Sequence, residues 1–254
     1  MNEIKVEIGG KVAVVTLDRP PVHALTTAMY ERLSDIFETL GTKQEAHCAI
    51  LTSSGGKAFC AGKDLHEFLA AKVEDDPAAA LVIRRAFSAI RNCEIPVVAA
   101  VNGAALGAGC VIAACCDIRI ASENATFGLP EINVGRCGGG SHLGRLIPQG
   151  ALRRMFFTGQ AVTAAEAYRL GLVDQLTSAE GLMPAAMSLA ETIAAKSPLG
   201  LRLGKKALNV VEALPLEQGY PVEQAYSTKL MRTEDAREAT RAVVEKRKPI
   251  FQGR

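Results

Sequence analysis

The start of the chain changes from an alternating to a helical pattern of apolar positions. Two short segments, IKVEI and VAVVTL, flank Gly9 and Gly10, an arrangement that predicts a β-hairpin with a tight glycine turn. Further on, either Thr26 or Thr27 can cap a helix, because a threonine hydroxyl accepts a hydrogen bond from a free N–H of the first turn. The apolar positions that follow recur at helical spacing, and they are Met29, Leu33, Ile36, Phe37 and Leu40.

The longest uncharged stretch of the chain covers residues 95–116. Its length would suffice for a membrane-spanning helix, which needs about 20 apolar residues. Of its 22 residues, however, 13 are Ala, Gly or Cys, and Pro96 interrupts the run, so a spanning helix is disfavoured. The stretch instead predicts a buried strand over 97–101, a turn at Asn102 and Gly103, and a glycine-bearing segment that enters a helix.

Short apolar runs alternate with helical patterns through the middle of the chain. Buried strands are predicted over 48–52, 97–101 and 117–121. Strands separated by helices pair in parallel, so the predicted fold class is α/β. Beyond Ser188 strand signals are sparse, and helices are predicted over 199–214, 217–231 and 234–247. We therefore divide the chain into a core of residues 1–196 and a helical C-terminal region of residues 197–254.

Composition adds limits to this picture. At 254 residues and 48% hydrophobic content, the chain is long enough to bury one large core. Its N-terminal sequence, MNEIKVEIGG, lacks a basic apolar leader, which favours a cytoplasmic location. The seven cysteines show no CxxC spacing and mostly lie in apolar runs, so neither disulfides nor a metal site is expected.

The charge of the chain is small but unevenly distributed. A formal net charge of +2 is too low for a nucleic-acid-binding surface. Residues 200–254, however, contain 11 Lys or Arg against 7 Asp or Glu, an excess of four positive charges. Such an excess suits a phosphorylated small ligand, and it suits a solvated helical surface equally well.

Two glycine-rich segments resemble phosphate-binding sequences without completing either pattern. Gly107 and Gly109 begin a GxGxxG pattern after a strand, but Ile112 replaces its third glycine, which argues against a nicotinamide oxidoreductase. Segment 55–58, GGKA, lacks the spacing and the Ser or Thr of a P-loop. Small residues have another use, because they let a main-chain N–H approach a reacting carbonyl and stabilise charge on its oxygen. Two such donors from two loops would form an oxyanion hole.

Four motifs occur in order along the chain: KAFCAGKDL at 57–65, PVVAAVNGAALGAGC at 96–110, DIRIASENATFGLPEINVG at 117–135 and VVEKRKPIFQGR at 243–254. In these motifs the chain resembles the enoyl-CoA hydratase/isomerase family of the crotonase superfamily over nearly its whole length. The resemblance implies a crotonase-like spiral of ββα turns, with a helical C-terminal region that assembles a homotrimer or a dimer of trimers. It also implies an acyl-CoA thioester substrate and no prosthetic group, since the CoA moiety belongs to the substrate.

By position in these motifs, the resemblance also implies the residues of an active site. The oxyanion donors would be the backbone N–H groups of Ala61 and Ala108, and residues 95–116 would be small and neutral because the thioester carbonyl lies against them. Glu131 would be the catalytic acid and base, since an isolated carboxylate in an apolar loop has a raised pKa; a salt-bridged loop glutamate is the alternative. Gly139 would lie near the position of a reacting water. The residues assigned to CoA binding are Lys57, Ala61, Asp64, Leu65, Lys246 and Phe251.

One departure from the family pattern concerns the reaction. Hydratases of the family usually carry a second glutamate directly after Cys110, where this chain has Val111. Hydration uses both carboxylates, whereas isomerisation of a 3-enoyl to a 2-enoyl thioester needs only one. We therefore favour isomerisation and expect the Val111 side chain to face the same cavity as Glu131. Hydration, thioester hydrolysis, decarboxylation and non-catalytic acyl-CoA binding remain as alternatives.

A second departure places Ser141 and His142 where relatives often have a glycine pair. His142 is predicted to be either an extra acid, base or substrate contact, or a helix-start histidine that faces solvent or the next turn. Because the two residues are adjacent, their side chains would point in different directions, and they do not form a nucleophile pair.

Two other groups of polar residues receive structural interpretations. His23 stands where relatives often have Asn, and it is expected to serve packing. Asp64, His66 and Glu67 resemble a metal-ligand cluster in composition, but they lack HExxH spacing, so a solvated helix start is expected there.

Overall fold

The structure is a computed structural model, and it describes residues 3–42 and 45–254. The strands in this part of the chain are β1 (Ile4–Gly9), β2 (Val12–Leu17), β3 (Cys48–Ser53), β4 (Ala58–Cys60), β5 (Val97–Val101), β6 (Ala104–Leu106), β7 (Ile118–Ser122), β8 (Thr126–Gly128), β9 (Val162–Thr163) and β10 (Gln175–Thr177). The α-helices are α1 (Thr27–Thr39), α2 (Leu65–Ala70), α3 (Asp76–Arg91), α4 (Ala108–Cys115), α5 (Gly140–Leu143), α6 (Gln149–Thr158), α7 (Ala164–Arg169), α8 (Leu182–Ala194), α9 (Pro198–Val211), α10 (Leu216–Met231) and α11 (Glu234–Val244). Short 3-10 helices cover Val73–Asp75 and Pro130–Val134.

Two sheets run through the fold, and from β3 to β8 successive strands of the chain alternate between them. The larger sheet has the strand order β1-β2-β3-β5-β7-β10, and the smaller has the order β4-β6-β8-β9. In the larger sheet β3, β5 and β7 pair in parallel, and in the smaller sheet β4, β6 and β8 do the same. Each of the pairs β3-β4, β5-β6 and β7-β8 therefore adds one strand to each sheet, which confirms the predicted α/β spiral of ββα turns.

The central strands of the larger sheet are buried on both faces. In β3, Cys48 and Ile50 belong to the core beneath α8, whereas Ala49 and Leu51 point into the main core on the opposite face. Burial on both faces explains why these strands are continuous apolar runs in sequence instead of alternating ones. The residues by which α8 meets the sheet are spaced four apart along one helical face, and they are Leu182, Ala186, Ala190 and Ala194.

The predicted hairpin, first helix and uncharged stretch all form. β1 and β2 pair antiparallel, and Gly10 at the turn has a φ of 62°, a left-handed conformation that glycine adopts without strain. The side chain of Thr26 caps α1 by accepting a hydrogen bond from Met29 N at 3.3 Å. The uncharged stretch divides into β5, β6 and α4. Within residues 3–42 and 45–254, no helix combines the length and apolar character that crossing a membrane would require.

The C-terminal helices join the core at a buried lysine. Lys205 on α9 donates to Ile95 O at 3.0 Å and to the Asp117 carboxylate at 2.7 Å, where β5 and β7 begin. The helices predicted for this region correspond to α9, α10 and α11, with ends that differ by at most three residues. The division near residue 196 falls between α8 and α9, and it stays a prediction.

Candidate active site

A cavity of about 390 Å³ lies between α3, α4 and the loops that follow β4 and β8. Its walls are largely apolar, and they include Ile83 and Phe87 on α3 and Leu65 at the start of α2. Six of the residues that line the cavity have a candidate role in a reaction, and they come from four separate parts of the chain. They are Tyr30, Lys63, Ala108, Val111, Glu131 and Gly139.

Glycines at the start of α4 let its first turn approach the backbone at the end of β4 and the side chain of Glu131. A Cβ at Gly109 would overlap the carbonyl oxygen of Cys60, so α4 packs directly on the backbone at the end of β4. A Cβ at Gly107, where φ is 54°, would lie 3.1 Å from Glu131 Oε1. The prediction that residues 95–116 are small because a thioester carbonyl lies against them is therefore correct only in part. Gly109 is required by backbone packing, whereas Gly107, Ala108 and Val111 are the residues of the stretch that border the cavity.

One of the two predicted oxyanion donors is wrong. The N–H of Ala61 already donates to Val22 O at 3.0 Å, so it is not available to a substrate. The next candidate is Lys63, because Gly62 O accepts from Leu25 N at 2.8 Å and the C=O and N–H of one trans peptide point in opposite directions. The Lys63 N–H therefore points away from Leu25, and within the described residues it makes no backbone hydrogen bond.

The other predicted donor, Ala108, has the geometry that the role requires. Ala108 is the first residue of α4, and the first N–H groups of a helix have no partner within it. A Cβ at Gly62 would lie 3.6 Å from Ala108 N, so the loop after β4 and the start of α4 are neighbours. The N–H groups of Lys63 and Ala108 thus come from two adjacent loops beside one cavity, and the positive end of the α4 dipole reinforces the second.

Glu131 lies in the 3-10 helix Pro130–Val134 and lines the cavity. Its Oε2 is buried and has no hydrogen-bond partner among the described residues. Burial raises the pKa of this carboxyl above its ordinary value of 4.5. No Lys, Arg or His of residues 3–42 and 45–254 lies within ion-pair distance of it, which argues against the salt-bridged alternative. Glu131 is therefore a half-buried, unpaired carboxylate with the character of a general base.

Tyr30 is a second polar group in the cavity, and no motif in the sequence predicts it there. Its side chain is buried in the main core, and in the described part of the chain its hydroxyl finds no hydrogen-bond partner. Burial raises the pKa of the phenol above its ordinary value of 10.0, and the nearby Cys60 and Glu131 raise it further. The hydroxyl therefore keeps its proton. Tyr30 lies on the apolar face of α1 between Met29 and Leu33, and nothing in that spacing distinguishes it from core packing.

Val111 and Gly139 lie together on one side of the cavity. A Cβ at Gly139, where φ is 76°, would lie 2.8 Å from Val111 Cγ2 and 2.6 Å from Leu129 Cδ2, so a larger residue would strain the backbone and displace these side chains. Val111 and Glu131 both line this cavity, as predicted. The second carboxylate of a two-carboxylate site is thus replaced by an apolar side chain.

His142 lies outside this cavity, in the wall of an adjoining one. Its Nδ1 is 3.4 Å from Cys115 Sγ, and its ring packs edge-on against Phe87 with centroids 5.5 Å apart. Burial lowers the pKa of His142 below its ordinary value of 6.5, and the positive charges of Arg145 and Arg91 lower it further. His142 is therefore neither a solvent-facing helix-start residue nor a neighbour of the Glu131 carboxylate.

The residues assigned to CoA binding divide into two groups. Ala61 and Leu65 line the cavity, and the side chain of Leu65 is exposed. Lys57, Lys246 and Phe251 lie outside the cavity walls, and their contact with CoA stays a prediction. Asp64 does not reach the cavity, because its carboxylate is committed elsewhere.

Asp64 and His23 have structural partners. Asp64 caps α2 by accepting from His66 N at 2.9 Å and Glu67 N at 3.0 Å, and it pairs with Arg19 at 2.8 Å. The hydrogen bond from Glu67 N contributes most to lowering the pKa of Asp64. His23 is buried, and its Nε2 lies 2.9 Å from Ser54 O, which fits the packing role expected for it.

Comparison with known proteins agrees with this geometry. Residues 7–254 match the sequence model of the family described as Enoyl-CoA hydratase/isomerase. The chain is 38% identical over 246 residues to the putative enoyl-CoA hydratase/isomerase YngF of Bacillus subtilis, with 95% of each chain covered. It is 36% identical to the short-chain-enoyl-CoA hydratase of Clostridium acetobutylicum, over 98% of this chain and 97% of that one. The crystal structure of an enoyl-CoA hydratase from Bacillus anthracis matches all of both chains, with a TM-score of 0.96 and 32% sequence identity.

The spiral of ββα turns and its cavity define an acyl-CoA enzyme of the crotonase superfamily. More particularly, the chain belongs to the enoyl-CoA hydratase/isomerase family, as its motifs predicted.

Proposed function

We propose that this protein isomerises 3-enoyl-CoA thioesters to 2-enoyl-CoA thioesters with Glu131 as the single acid and base. The observation that carries the proposal is that an unpartnered Glu131 and an apolar Val111 line the same cavity. Asp76 is the other carboxylate at the cavity wall, and its ion pair with Arg136 at 2.5 Å leaves it unsuited to act as a base.

The chemistry follows from the placement of these groups. The thioester oxygen would accept hydrogen bonds from the N–H groups of Lys63 and Ala108. Glu131 would remove a proton from C2, and the electron pair of that C–H bond would move into a dienolate whose charge lies on the thioester oxygen. Returning the proton from Glu131 to C4 completes the shift of the double bond. Losing one such oxyanion donor typically costs about 100- to 1000-fold in rate.

Hydration of 2-enoyl-CoA is the second candidate, and two observations favour it. The relatives include a protein named short-chain-enoyl-CoA hydratase. The Tyr30 hydroxyl is an unpartnered donor in the same cavity, and it would help hold a water beside Glu131. A phenol that keeps its proton replaces only the hydrogen-bonding part of a second carboxylate, because it cannot accept a proton.

A substrate pair of equal chain length distinguishes these reactions. Purified protein is incubated separately with 3-hexenoyl-CoA and 2-hexenoyl-CoA, and the products are separated by chromatography and identified by mass. We expect the 3-enoyl thioester to be converted with a kcat/KM at least about tenfold above that for hydration of the 2-enoyl thioester. Equal or faster formation of 3-hydroxyacyl-CoA would favour hydration, and conversion of neither thioester would reject both reactions.

A further inference from the structure

A second cavity adjoins the active-site cavity, and its volume of about 700 Å³ makes it larger. The two cavities have six wall residues in common, which are Ala80, Ile83, Phe87, Cys137, Gly138 and Gly139. We call this second cavity the distal chamber. A Cβ at Gly138 would lie 3.8 Å from Glu131 Oε1, so this shared wall adjoins the reacting carboxylate, and an acyl chain that extends beyond the reacting carbons can pass Phe87 into the distal chamber.

Helix α3 builds one wall of both cavities. Asp76 and Ala79 in its first turn line the active-site cavity alone, whereas Arg84, Ser88 and Arg91 further along line the distal chamber alone. The chamber-lining positions recur three or four residues apart, so they form one face of the helix. The residues that α3 contributes to the walls thus include no basic side chain in the active-site cavity and two, Arg84 and Arg91, in the distal chamber.

The distal chamber carries positive charge that its surroundings do not balance. Arg84 forms no ion pair with any residue in the ranges 3–42 and 45–254. Arg91 pairs with Glu212, but Arg145 binds the same carboxylate at 2.7 Å, so two guanidinium groups share one negative charge. Of the described residues, none that lines the chamber is acidic.

His142 adds a neutral donor to the same chamber. Burial raises the pKa of the neighbouring Cys115 to about 12, so this thiol keeps its proton and can donate it to His142 Nδ1, 3.4 Å away. A neutral imidazole whose Nδ1 accepts carries its proton on Nε2. We assign this tautomer from the contact with Cys115, and it leaves Nε2–H as a hydrogen-bond donor. Ser141, Ser88 and Asn92 supply further polar groups to the wall.

From these observations we infer that the distal chamber binds a carboxylate at the far end of the acyl group. The substrate would be a dicarboxylic acid joined to CoA through one carboxyl group, with the other in reach of Arg84 and Arg91. Arginine is suited to this role because its planar guanidinium binds a carboxylate through two parallel hydrogen bonds. Ile83, Phe87 and Phe156 would cover the methylene groups between the two ends. This inference rests on the proposed function only in placing the thioester beside Glu131.

Binding tests the inference independently of turnover. Isothermal titration calorimetry compares saturated acyl-CoA thioesters, which cannot be turned over, with counterparts of equal length that end in a carboxylate. We expect the carboxylated member to bind at least about tenfold more tightly at one chain length, since hydrogen bonds to a charged group stabilise more than neutral ones. Arg84→Gln should reduce this preference about threefold or more, and Arg84→Gln combined with Arg91→Gln should abolish it.

Arg85 provides a matched control, because it is adjacent on α3 and pairs with Asp35 and Glu38 instead of facing the chamber. Arg85→Gln removes the same charge from the same helix and should leave the preference unchanged. The inference is overturned if no chain length shows a preference, or if the preference survives the double substitution or falls equally in Arg85→Gln. The matching pairs of unsaturated thioesters then test turnover, and a binding preference without turnover would reject the proposed function while supporting the chamber.

Discussion

The active-site cavity and the distal chamber share a wall, yet they obtain their polar groups in opposite ways. In the cavity few groups have a proposed role: we propose that Glu131 moves the proton and that two backbone N–H groups, those of Lys63 and Ala108, bind the thioester oxygen. In the chamber several basic and neutral side chains, among them Arg84, lie around one space. Backbone groups are fixed by the fold, whereas side chains at a partly open surface vary freely. The difference suggests that the chemistry is set by the spiral and the choice of substrate by the surface.

The largest effect is expected from Glu131→Gln. Because no other unpaired carboxylate lines the cavity in the described chain, turnover should fall about 100- to 10,000-fold, the usual contribution of general acid–base catalysis. Steady-state kinetics and acyl-CoA titration measure this, and affinity should change little. Glu123→Gln removes an exposed carboxylate from the loop before β8 and serves as the control. Unaltered turnover in Glu131→Gln would remove Glu131 from the mechanism.

Val111→Glu tests whether one missing carboxylate decides the reaction. The substitution places a second carboxylate on the wall that Glu131 already lines, and hydration of 2-enoyl-CoA should rise at least about tenfold. An unpartnered buried polar group costs about 1 to 3 kcal/mol and a charged carboxylate costs more, so thermal melting comes first. Val111→Gln has the same size without the charge and should not hydrate faster. If a folded Val111→Glu protein binds acyl-CoA and hydrates no better, Val111 does not determine the reaction.

The pH dependence of turnover should reveal the buried position of Glu131. The base must be unprotonated, and burial raises its pKa above 4.5, so the acid limb of kcat/KM should bend above pH 4.5 and fall about tenfold per pH unit below the bend. The same shift has an opposite consequence for stability. A raised pKa in the folded state favours the protonated form, so its contribution is present below pH 4.5 and is lost as pH rises through the raised value. Glu131→Gln should therefore be the more stable protein at neutral pH, and a constant difference at all pH values would contradict this.

Tyr30→Phe removes one hydroxyl from the cavity and keeps the packing of the ring. If that hydroxyl contacts substrate or water, turnover should fall about twofold to tenfold, the value of one neutral hydrogen bond. Stability should rise, because the hydroxyl is buried without a partner in the described chain. Kinetics and thermal melting on the same preparation separate the two effects. A rise in stability without a loss of turnover would assign Tyr30 to packing alone.

The smallest effect should come from Lys246, which lies outside both cavities. We predict that it reaches the 3′-phosphate of CoA in a neighbouring subunit, so Lys246→Ala should raise the apparent KM for CoA thioesters by about 1.5- to 5-fold, the range of an exposed ion pair. Pantetheine thioesters lack that phosphate, and their KM should not change. Lys248→Ala is the control for general loss of charge. Sedimentation as a single subunit, or equal effects on both thioester types, would reject the shared site.

Much of the fold could be predicted because the pattern of apolar and capping residues within each segment indicates its strand or helix. The apolar runs that became β3 and β5, and the capped face of α1, needed no knowledge of distant contacts. The sequence shows no fixed period that corresponds to the turns of the spiral. The strands β3, β5 and β7 begin at Cys48, Val97 and Ile118, because the loops and helices between them differ in length. The structural unit repeats while the sequence interval does not.

The site was harder to predict where a role depends on a partner distant in sequence. Position in a motif favoured Ala61 as an oxyanion donor, but Val22 from another loop accepts its hydrogen. Only the direction of the Gly62 carbonyl identifies Lys63 instead. Tyr30 was missed for the same reason, because helical spacing predicts burial and says nothing about whether a hydroxyl finds an acceptor. Glu131 could be predicted since its isolation is visible in the sequence itself.

We propose that one carboxylate carries the same hydrogen from C2 to C4, and an isotopic label at C2 tests this transfer directly. A 3-enoyl-CoA thioester deuterated at C2 is converted in ordinary water, and NMR measures deuterium at C4 of the product for the native protein and for Glu131→Gln. Because Glu131 Oε2 is buried, part of the deuterium should reach C4 before it exchanges with solvent, and Glu131→Gln should form the isomer about 100- to 10,000-fold more slowly. Isomer formed at the native rate by Glu131→Gln, or 3-hydroxyacyl-CoA as the main product with no deuterium at C4, would contradict the claim.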